Sequence, residues 1–409
     1  MEFIFKNSIK IFLILLVLLV VSAKITPEWL VDCNYYGGVL SATPDLSCIV
    51  VGSNEGISDC WGIYFYNRNG TLMGYYNFSN FGHIDDLKIS SDGKYIITAV
   101  KSTYKFGIRR EYVCVFNNKG DLLKKYRIDI GNAKLSISSG GKYILVGVGR
   151  HACLLDRNKG VLWNYEAEDT ISSVDTAKNG RYFVVGSRDG NIYFFNRSGL
   201  LWKYQTDGCV ESVSINSNMG FICAGGDDWE LYLLNYSGNL IKKKHLKYIP
   251  LYVKLTNSGN VIVECGEILL CLNKNLTPLW RYEIDAYEGM DIAITPDGKY
   301  IAFYDDDTSC SYISEKVGLY MINGSNGKVL WEYPSKYFSG EVEISSDGRY
   351  VVALSYKKLY LFDNQKCIEN FSPEMRDNGE EKIVIEYGGI VIAVLLTILI
   401  IVVYSMGRK

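Results

Sequence analysis

Short apolar runs separated by polar turns dominate the chain. The clearest stretch lies between Ser173 and Tyr204: RYFVVGS, NIYFFN and LLWKY follow one another, punctuated by AKNG, RDG and NRSG. Each run is about four to seven residues long and rich in Tyr, Phe, Val and Ile, the signature of a strand and too short for a packed helix. With the segment that ends at AKNG, this stretch predicts four antiparallel strands joined by tight turns. Gly180 supplies the positive φ that the first hairpin needs.

The pattern repeats. SSDGKY at 90–95, SSGGKY at 138–143, AKNGRY at 177–182, TPDGKY at 295–300 and SSDGRY at 345–350 are copies of one hexapeptide. Its glycine marks Gly93, Gly141, Gly180, Gly220, Gly259, Gly298 and Gly348, and TPDLSC at 43–48 is a further copy with Leu46 in the glycine slot. A period near forty residues with four short strands per period predicts propeller blades, not helical repeats. The fold class is therefore all-β, a propeller of about eight four-stranded blades, with seven as the alternative. EWLVDC at 28–33 lines up with the fourth strands and is expected to complete the last blade, whose own final strand, CIENF at 367–371, is weak. Such closure removes exposed edges.

Fourth strands carry a marker: LWNY at 162–165, LWKY at 201–204, LWRY at 279–282 and LWEY at 330–333. A Trp there can wedge between neighbouring blades and bury a large apolar area. NGSNGKVLWEY, NKGVLWNY and RSGLLWKY resemble the tryptophan-docking repeats of pyrroloquinoline quinone (PQQ)-like propellers, and TPDGKYIAFYDDD resembles a TolB-type repeat. The resemblance covers most of residues 24–371 and implies the propeller fold. Enzymes of the PQQ-like group often use a vicinal disulfide and an Asp beside calcium. This chain has no Cys-Cys pair and no Asp that matches, so those catalytic residues do not carry over, and fold alone does not give function.

Both ends are apolar. Lys6 and Lys10 precede a greasy run that ends in Ser22-Ala23, the pattern of a signal peptide over 1–23, or an N-terminal anchor if it is retained. Residues 24–371 form the expected ectodomain, 372–386 a polar stalk, 387–405 a transmembrane helix without a charge, and 406–409 a cytoplasmic tail with Arg408 and Lys409. The chain is thus expected at the cell membrane, single-pass with the propeller outside, or two-pass with a retained first segment. Sequons at Asn69, Asn77, Asn196, Asn235, Asn275, Asn323 and Asn370 permit glycosylation. Among the cysteines, Cys48 with Cys60 and Cys265 with Cys271 could pair if their strands are neighbours. The formal net charge of −2 gives no reason to expect nucleic acid.

Unequal spacing is the sharpest functional clue. Units one, two and seven are longer between their second and third strands, around 54–61, 101–111 and 305–317. Those connections emerge on one face, and the units are neighbours in a closed ring, so the insertions should form a binding face. Lys101, Lys105, Arg109 and Arg110 on one loop and Asp305, Asp306 and Asp307 on another are the candidate binding residues. The triple Asp suits calcium in ligand type but lacks the spacing of a calcium loop. Asp227-Asp228 reads as a solvated turn.

His83, His151 and His245 have no metal-ligand spacing, and no GxSxG occurs. Gly82-His83 resembles the Gly-His pair of WD40 repeats, but the Trp-Asp partner is missing, and His83 reads as a loop residue. The expected function is a non-catalytic binding or scaffold module for a protein or cell-envelope glycan, with no cofactor. The alternatives are a quinone-dependent oxidoreductase, with calcium or PQQ in the central channel, and an envelope-protein assembly factor.

Overall fold

The computed structural model describes residues 25–33, 35–56, 62–78, 81–102, 111–129, 131–284, 291–305, 318–334, 341–355 and 357–371. Pro27–Gln365 form one compact unit. It holds eight four-stranded antiparallel sheets, each one blade. Blade 1 contains β2 (Tyr35–Ala42), β3 (Ile49–Gly56), β4 (Gly62–Tyr66) and β5 (Leu72–Asn77). Blade 2 contains β6 (Phe81–Ile89), β7 (Tyr95–Ser102), β8 (Glu111–Asn117) and β9 (Leu122–Ile128). Blade 3 contains β10 (Lys134–Ile137), β11 (Tyr143–Val148), β12 (His151–Asp156) and β13 (Gly160–Glu166). Blade 4 contains β14 (Ile171–Thr176), β15 (Tyr182–Ser187), β16 (Asn191–Asn196) and β17 (Gly199–Gln205). Blade 5 contains β18 (Val210–Asn216), β19 (Phe221–Gly226), β20 (Glu230–Asn235) and β21 (Leu240–His245). Blade 6 contains β22 (Tyr252–Leu255), β23 (Val261–Cys265), β24 (Ile268–Leu272) and β25 (Pro278–Glu283). Blade 7 contains β26 (Ile292–Ile294), β27 (Tyr300–Asp305), β28 (Gly318–Asn323) and β29 (Val329–Pro334). Blade 8 contains β30 (Val342–Ile344), β31 (Tyr350–Ser355), β32 (Lys358–Asp363) and, from the start of the chain, β1 (Trp29–Asp32).

β1 runs antiparallel to β32, with Trp29 opposite Leu361 and Asp32 opposite Lys358. This is the closure expected from EWLVDC, and it fixes the count at eight. CIENF is not a strand. It lies in a short helix, α1 (Asn364–Asn370), because β1 already occupies the fourth place in blade 8.

The hexapeptide recurs because it solves two problems at once. Its serine and aspartate build the turn: Ser90 Oγ donates to Asp92 Oδ1 at 2.7 Å and accepts the Tyr95 amide at 3.0 Å. Its glycine takes a φ of +67° at Gly93 and +71° at Gly348, and Leu46, the exception, is held at +52°. The glycine also leaves room for the hexapeptide tyrosine of the blade before it. A Cβ on Gly141 would stand 2.6 Å from Tyr95 Cδ2, and one on Gly180 2.6 Å from Tyr143 Cδ2. The Arg157 guanidinium then covers Tyr95 at 3.3 Å from the ring centre, and Arg197 covers Tyr143 at 4.4 Å.

No blade buries its faces alone. The core is distributed over the seams: Ile97, Val113 and Val115 of blade 2 meet Leu135, Ile144 and Val146 of blade 3, and Val184 and Phe194 of blade 4 meet Ile222 and Leu234 of blade 5. The tryptophan wedges exist. Trp163 Nε1 donates to the Asn196 carbonyl of the next blade at 3.0 Å, Trp202 to Tyr236 at 2.9 Å and Trp280 to Gly324 at 2.7 Å. Trp331 donates to Asn364 Oδ1 at 2.6 Å, and Trp29 crosses from blade 8 to the Arg68 carbonyl of blade 1 at 2.7 Å. Burial of the ring and satisfaction of its only donor make each a strong clamp.

Cys265 and Cys271 lie on paired strands but not opposite each other, since Cys265 faces Ile268 and Cys271 faces Ile262. They are separate buried thiols, each pushed up to about 12 by burial. Cys60 lies outside the described residues, as do 1–23 and 387–405. Among the described residues no helix is long and apolar enough to cross a membrane.

Candidate functional site

First strands of successive blades line the axis of a propeller. Here β2 touches β6, β6 touches β10, and β10 touches β14. β14 then touches β18, β18 touches β22, β26 touches β30, and β30 returns to β2. An inner strand has one edge without a partner strand, and its amides need acceptors. Polar side chains of the preceding blade supply them. Asp85 Oδ2 accepts the Ala133 amide at 3.0 Å and Asp86 Oδ2 the Leu135 amide at 2.7 Å. Ser173 Oγ accepts Val213 at 3.1 Å, Asp175 Oδ2 accepts Ile215 at 3.1 Å, and Ser212 and Ser214 accept Val253 and Leu255 at 3.1 Å each. Asp291 accepts Val342 at 2.5 Å, and Glu341 accepts the Leu40 amide, which carries the relay across the closure. The two-residue spacing of Ser173 and Asp175, and of Ser212 and Ser214, follows from the pleat, and the adjacent Asp85 and Asp86 stand where β6 is bulged.

Two ammonium groups sit among these carboxylates. Lys88 Nζ lies 3.0 Å from Asp86 Oδ1, and Lys254 Nζ of blade 6 reaches past blade 5 to Asp175 Oδ2 of blade 4 at 3.4 Å. Both lysine side chains are 44% exposed, so channel water reaches them. Asp86 holds Lys88 far above the ordinary lysine range, and Asp175 raises Lys254. Burial raises Asp291 and Glu341, and the neighbouring Asp291 charge raises Glu341 further. Burial also pushes Glu343 up to about 7, with Lys88 pulling the other way, and it pushes Glu264 in β23 up to about 7.

These shifts set a pH dependence. A carboxyl whose folded pKa lies above its unfolded value of about 4.3 binds more protons when folded. Its stabilisation is complete below that unfolded value and is lost as pH rises through about 7. Turn carboxylates such as Asp92 oppose this. Burial pushes Asp92 upward, but its bonds from Ser90 and the Lys94 amide outweigh burial and hold it below the ordinary range. Their loss operates only below about pH 4. The expected result is a melting temperature that falls from pH 5 to pH 8, and a flatter profile for Glu343→Gln. A melting temperature that rises across that window would contradict the assignment.

Of the candidate binding residues, Lys101 is described in full. Its ammonium bonds Asp85 Oδ1 at 2.7 Å and Asn132 Oδ1 at 2.7 Å, which ties blade 2 to the approach of β10. The backbone of Asp305 ends β27. Lys105, Arg109, Arg110, Asp306 and Asp307 lie outside the described residues. Asn69, Asn77, Asn275 and Asn370 are exposed, whereas Asn196, Asn235 and Asn323 are half-buried and cap the turns they begin. His83 is on β6 rather than in a loop, 3.1 Å from Asp85. Among the described residues no group of His, Cys, Asp and Glu is placed to hold a metal ion.

Two features escaped the sequence reading. The first is a groove of about 990 Å³ at the seam of blades 2 and 3, walled by Tyr126, Ile128, Val148, His151 and Leu155 among others. Blade 2 has Lys124 where blades 3, 4, 6 and 7 carry the wedge tryptophan, and Lys124 extends to the Asn158 carbonyl at 2.9 Å. The second is Trp229. The hairpins Arg188–Gly190 of blade 4 and Asp227–Trp229 of blade 5 share one set of bonds. Gly190 N donates to Ser187 O, and Trp229 N to Gly226 O, both at 3.1 Å. Asp189 accepts the Tyr193 hydroxyl at 2.7 Å, and Asp228 accepts that of Tyr232 at 2.5 Å. The third residue, the one in the left-handed conformation, is glycine at φ +83° in one and tryptophan at φ +66° in the other. The left-handed conformation costs a residue with a Cβ about 1–2 kcal/mol. The indole is nonetheless 46% exposed, stacked on His245 at 6.2 Å between ring centres.

These features define an eight-bladed, all-β propeller closed by its own first strand. Residues 160–196, from β13 of blade 3 through β16 of blade 4, match the WD40 family, described as WD domain, G-beta repeat. The crystal structure of the C-terminal WD40 domain of Sif2 is similar, with a TM-score of 0.65 and 13% identity over 83% of this chain and 98% of that one. It is one of 1597 solved chains that match, so the likeness identifies architecture and selects no partner. No curated protein sequence matches the chain. The WD40 match overturns the PQQ-like and TolB-type resemblance. An outer-strand tryptophan seals a seam in any propeller, so LWxY reports a packing solution and not a family.

Proposed function

We propose that this propeller is a non-catalytic scaffold that holds a protein partner on the face formed by the hairpins between second and third strands. Propellers of the WD40 type typically act as protein-interaction modules. The observation that carries the reading is where the long connections are rooted. Residues 57–61, 103–110 and 306–317 join β3 to β4, β7 to β8 and β27 to β28, whereas blades 3, 4, 5 and 6 turn tightly at the same place. Blades 7, 8, 1 and 2 are neighbours across the closure, so the three roots share one arc of one face. The inner-strand relay gives those loops a rigid base, because its charged groups already serve the ring. The apolar, uncharged run 387–405 supports anchorage in a membrane, with the propeller outside.

Replacing 103–110 with a tight turn should abolish capture of the partner in a pull-down from the native source, at an unchanged melting temperature. Capture that survives the exchange would refute the long-loop face.

A further inference from the structure

We propose that Trp229 is an anchor for a basic segment of a protein partner, at the blade 5 corner of the hairpin face. This rests on the reading of that face as the docking face, but on different residues from the long loops. The turn that carries Trp229 needs no tryptophan. Asp228 and Tyr232 build it as Asp189 and Tyr193 build its neighbour, where the same place holds Gly190. The sequence thus keeps a large aromatic ring at a position that favours glycine, and leaves nearly half of it in solvent. Tryptophan is one of the side chains enriched at the energetic centre of interfaces, and its π-face is the best aromatic acceptor for a cation.

Charge decides the kind of partner. On the side that faces blade 4, Asp207, Asp227, Glu211 and Glu230 stand against Lys243 and Arg188. Lys243 bonds Asp207 at 2.5 Å and Glu230 at 3.7 Å, and Arg188 lies 3.5 Å from Glu211. Asp227 accepts the Cys209 amide at 2.6 Å. His245, under the indole, sits 3.3 Å from Glu230. With Asp228 added and the exposed Lys247 of the next connection set against it, carboxylates still outnumber cations at this corner, and its exposed ring has one face on His245. An arginine or lysine of the partner stacks on the open face while neighbouring cations meet the carboxylates. Lys242 and Lys244 pair opposite Leu233 and Leu231, on the strand positions that alternate with Lys243, and so face blade 6 instead.

The probe is a fluorescent hexaarginine peptide titrated into the full chain, with hexaglutamate as the control. Hexaarginine should bind and weaken as salt is added, and hexaglutamate should not bind. Trp229→Gly should weaken hexaarginine binding by about tenfold, the loss of one buried cation–π contact. The same substitution should raise the melting temperature, because it restores the residue that the turn prefers. Asp207→Asn with Asp227→Asn should weaken binding and reduce its salt dependence. Hexaarginine binding unchanged in Trp229→Gly, equal binding of hexaglutamate, or a lower melting temperature for Trp229→Gly would each overturn the proposal. Exchange of 103–110 separates the two readings. A chain with that exchange that still binds hexaarginine but fails in the pull-down supports both. One that still captures its partner, while Trp229→Gly releases hexaarginine, leaves only this proposal standing.

Discussion

A chain that begins after Asp32 should not fold as a cooperative unit. Without β1, blade 8 keeps three strands, β32 exposes a row of unpaired backbone groups, and Trp29 no longer crosses to the Arg68 carbonyl. Without its fourth strand, blade 8 presents the buried third strand β32 as its outer edge, and exposed apolar edges recruit other chains. The expected outcome is aggregation during refolding and loss of a single sharp melting transition. The cause can be separated from simple truncation damage. β1 runs antiparallel to β32, so a tight turn placed after Asn364 could deliver the segment 27–33 to the same slot from the other end of the chain. That rearranged chain should regain one transition near the parent's melting temperature. If it stays aggregated while its blades form, closure by β1 is not what holds the ring.

The second large effect falls on Trp331. Its side chain is fully buried, its ring packs on Phe362 at 5.4 Å between centres, and its Nε1 donates to Asn364 Oδ1. Trp331→Ala should cost about 3–5 kcal/mol in urea denaturation, the range for emptying a large aromatic site. Trp331→Phe should cost less, because most of the apolar contact survives while Asn364 loses one donor. Trp163 makes the same kind of bond in blade 3 but is only part-buried, and Trp163→Ala should cost less than Trp331→Ala. Equal losses at both sites would mean that the indole hydrogen bond, and not burial, sets the strength of a seam.

Much of the fold was legible because turn chemistry is local. Ser90, Asp92 and Gly93 interact with one another within one hexapeptide, so each copy announces a hairpin wherever it stands. Closure was readable for a similar reason, since Trp29 repeats the position of the other wedge tryptophans. CIENF misled because its composition suits a strand, and only the occupancy of the fourth place decides its shape. The channel was illegible. Asp86 and Leu135, or Lys254 and Asp175, are a blade or two apart in sequence and meet only when the ring is complete. Lys101 shows the opposite failure: its sequence neighbours suggested a basic loop, and the structure uses its charge to fasten Asp85. The tryptophan at 229 left a readable signal after all, in the alignment of DDW with RDG, where an aromatic replaces the residue that a left-handed turn selects.

Placing the first strand last in its blade also sets how the ring responds to force. β1 starts at Trp29 opposite Leu361, and β32 ends at Asp363, so both lead out from the same end of one antiparallel ladder. Tension applied between residues 27 and 365 therefore loads the rungs singly, beginning with the Trp29–Leu361 pair, and unzips β1 instead of shearing it. Under a steady pull the propeller would yield at that strand first.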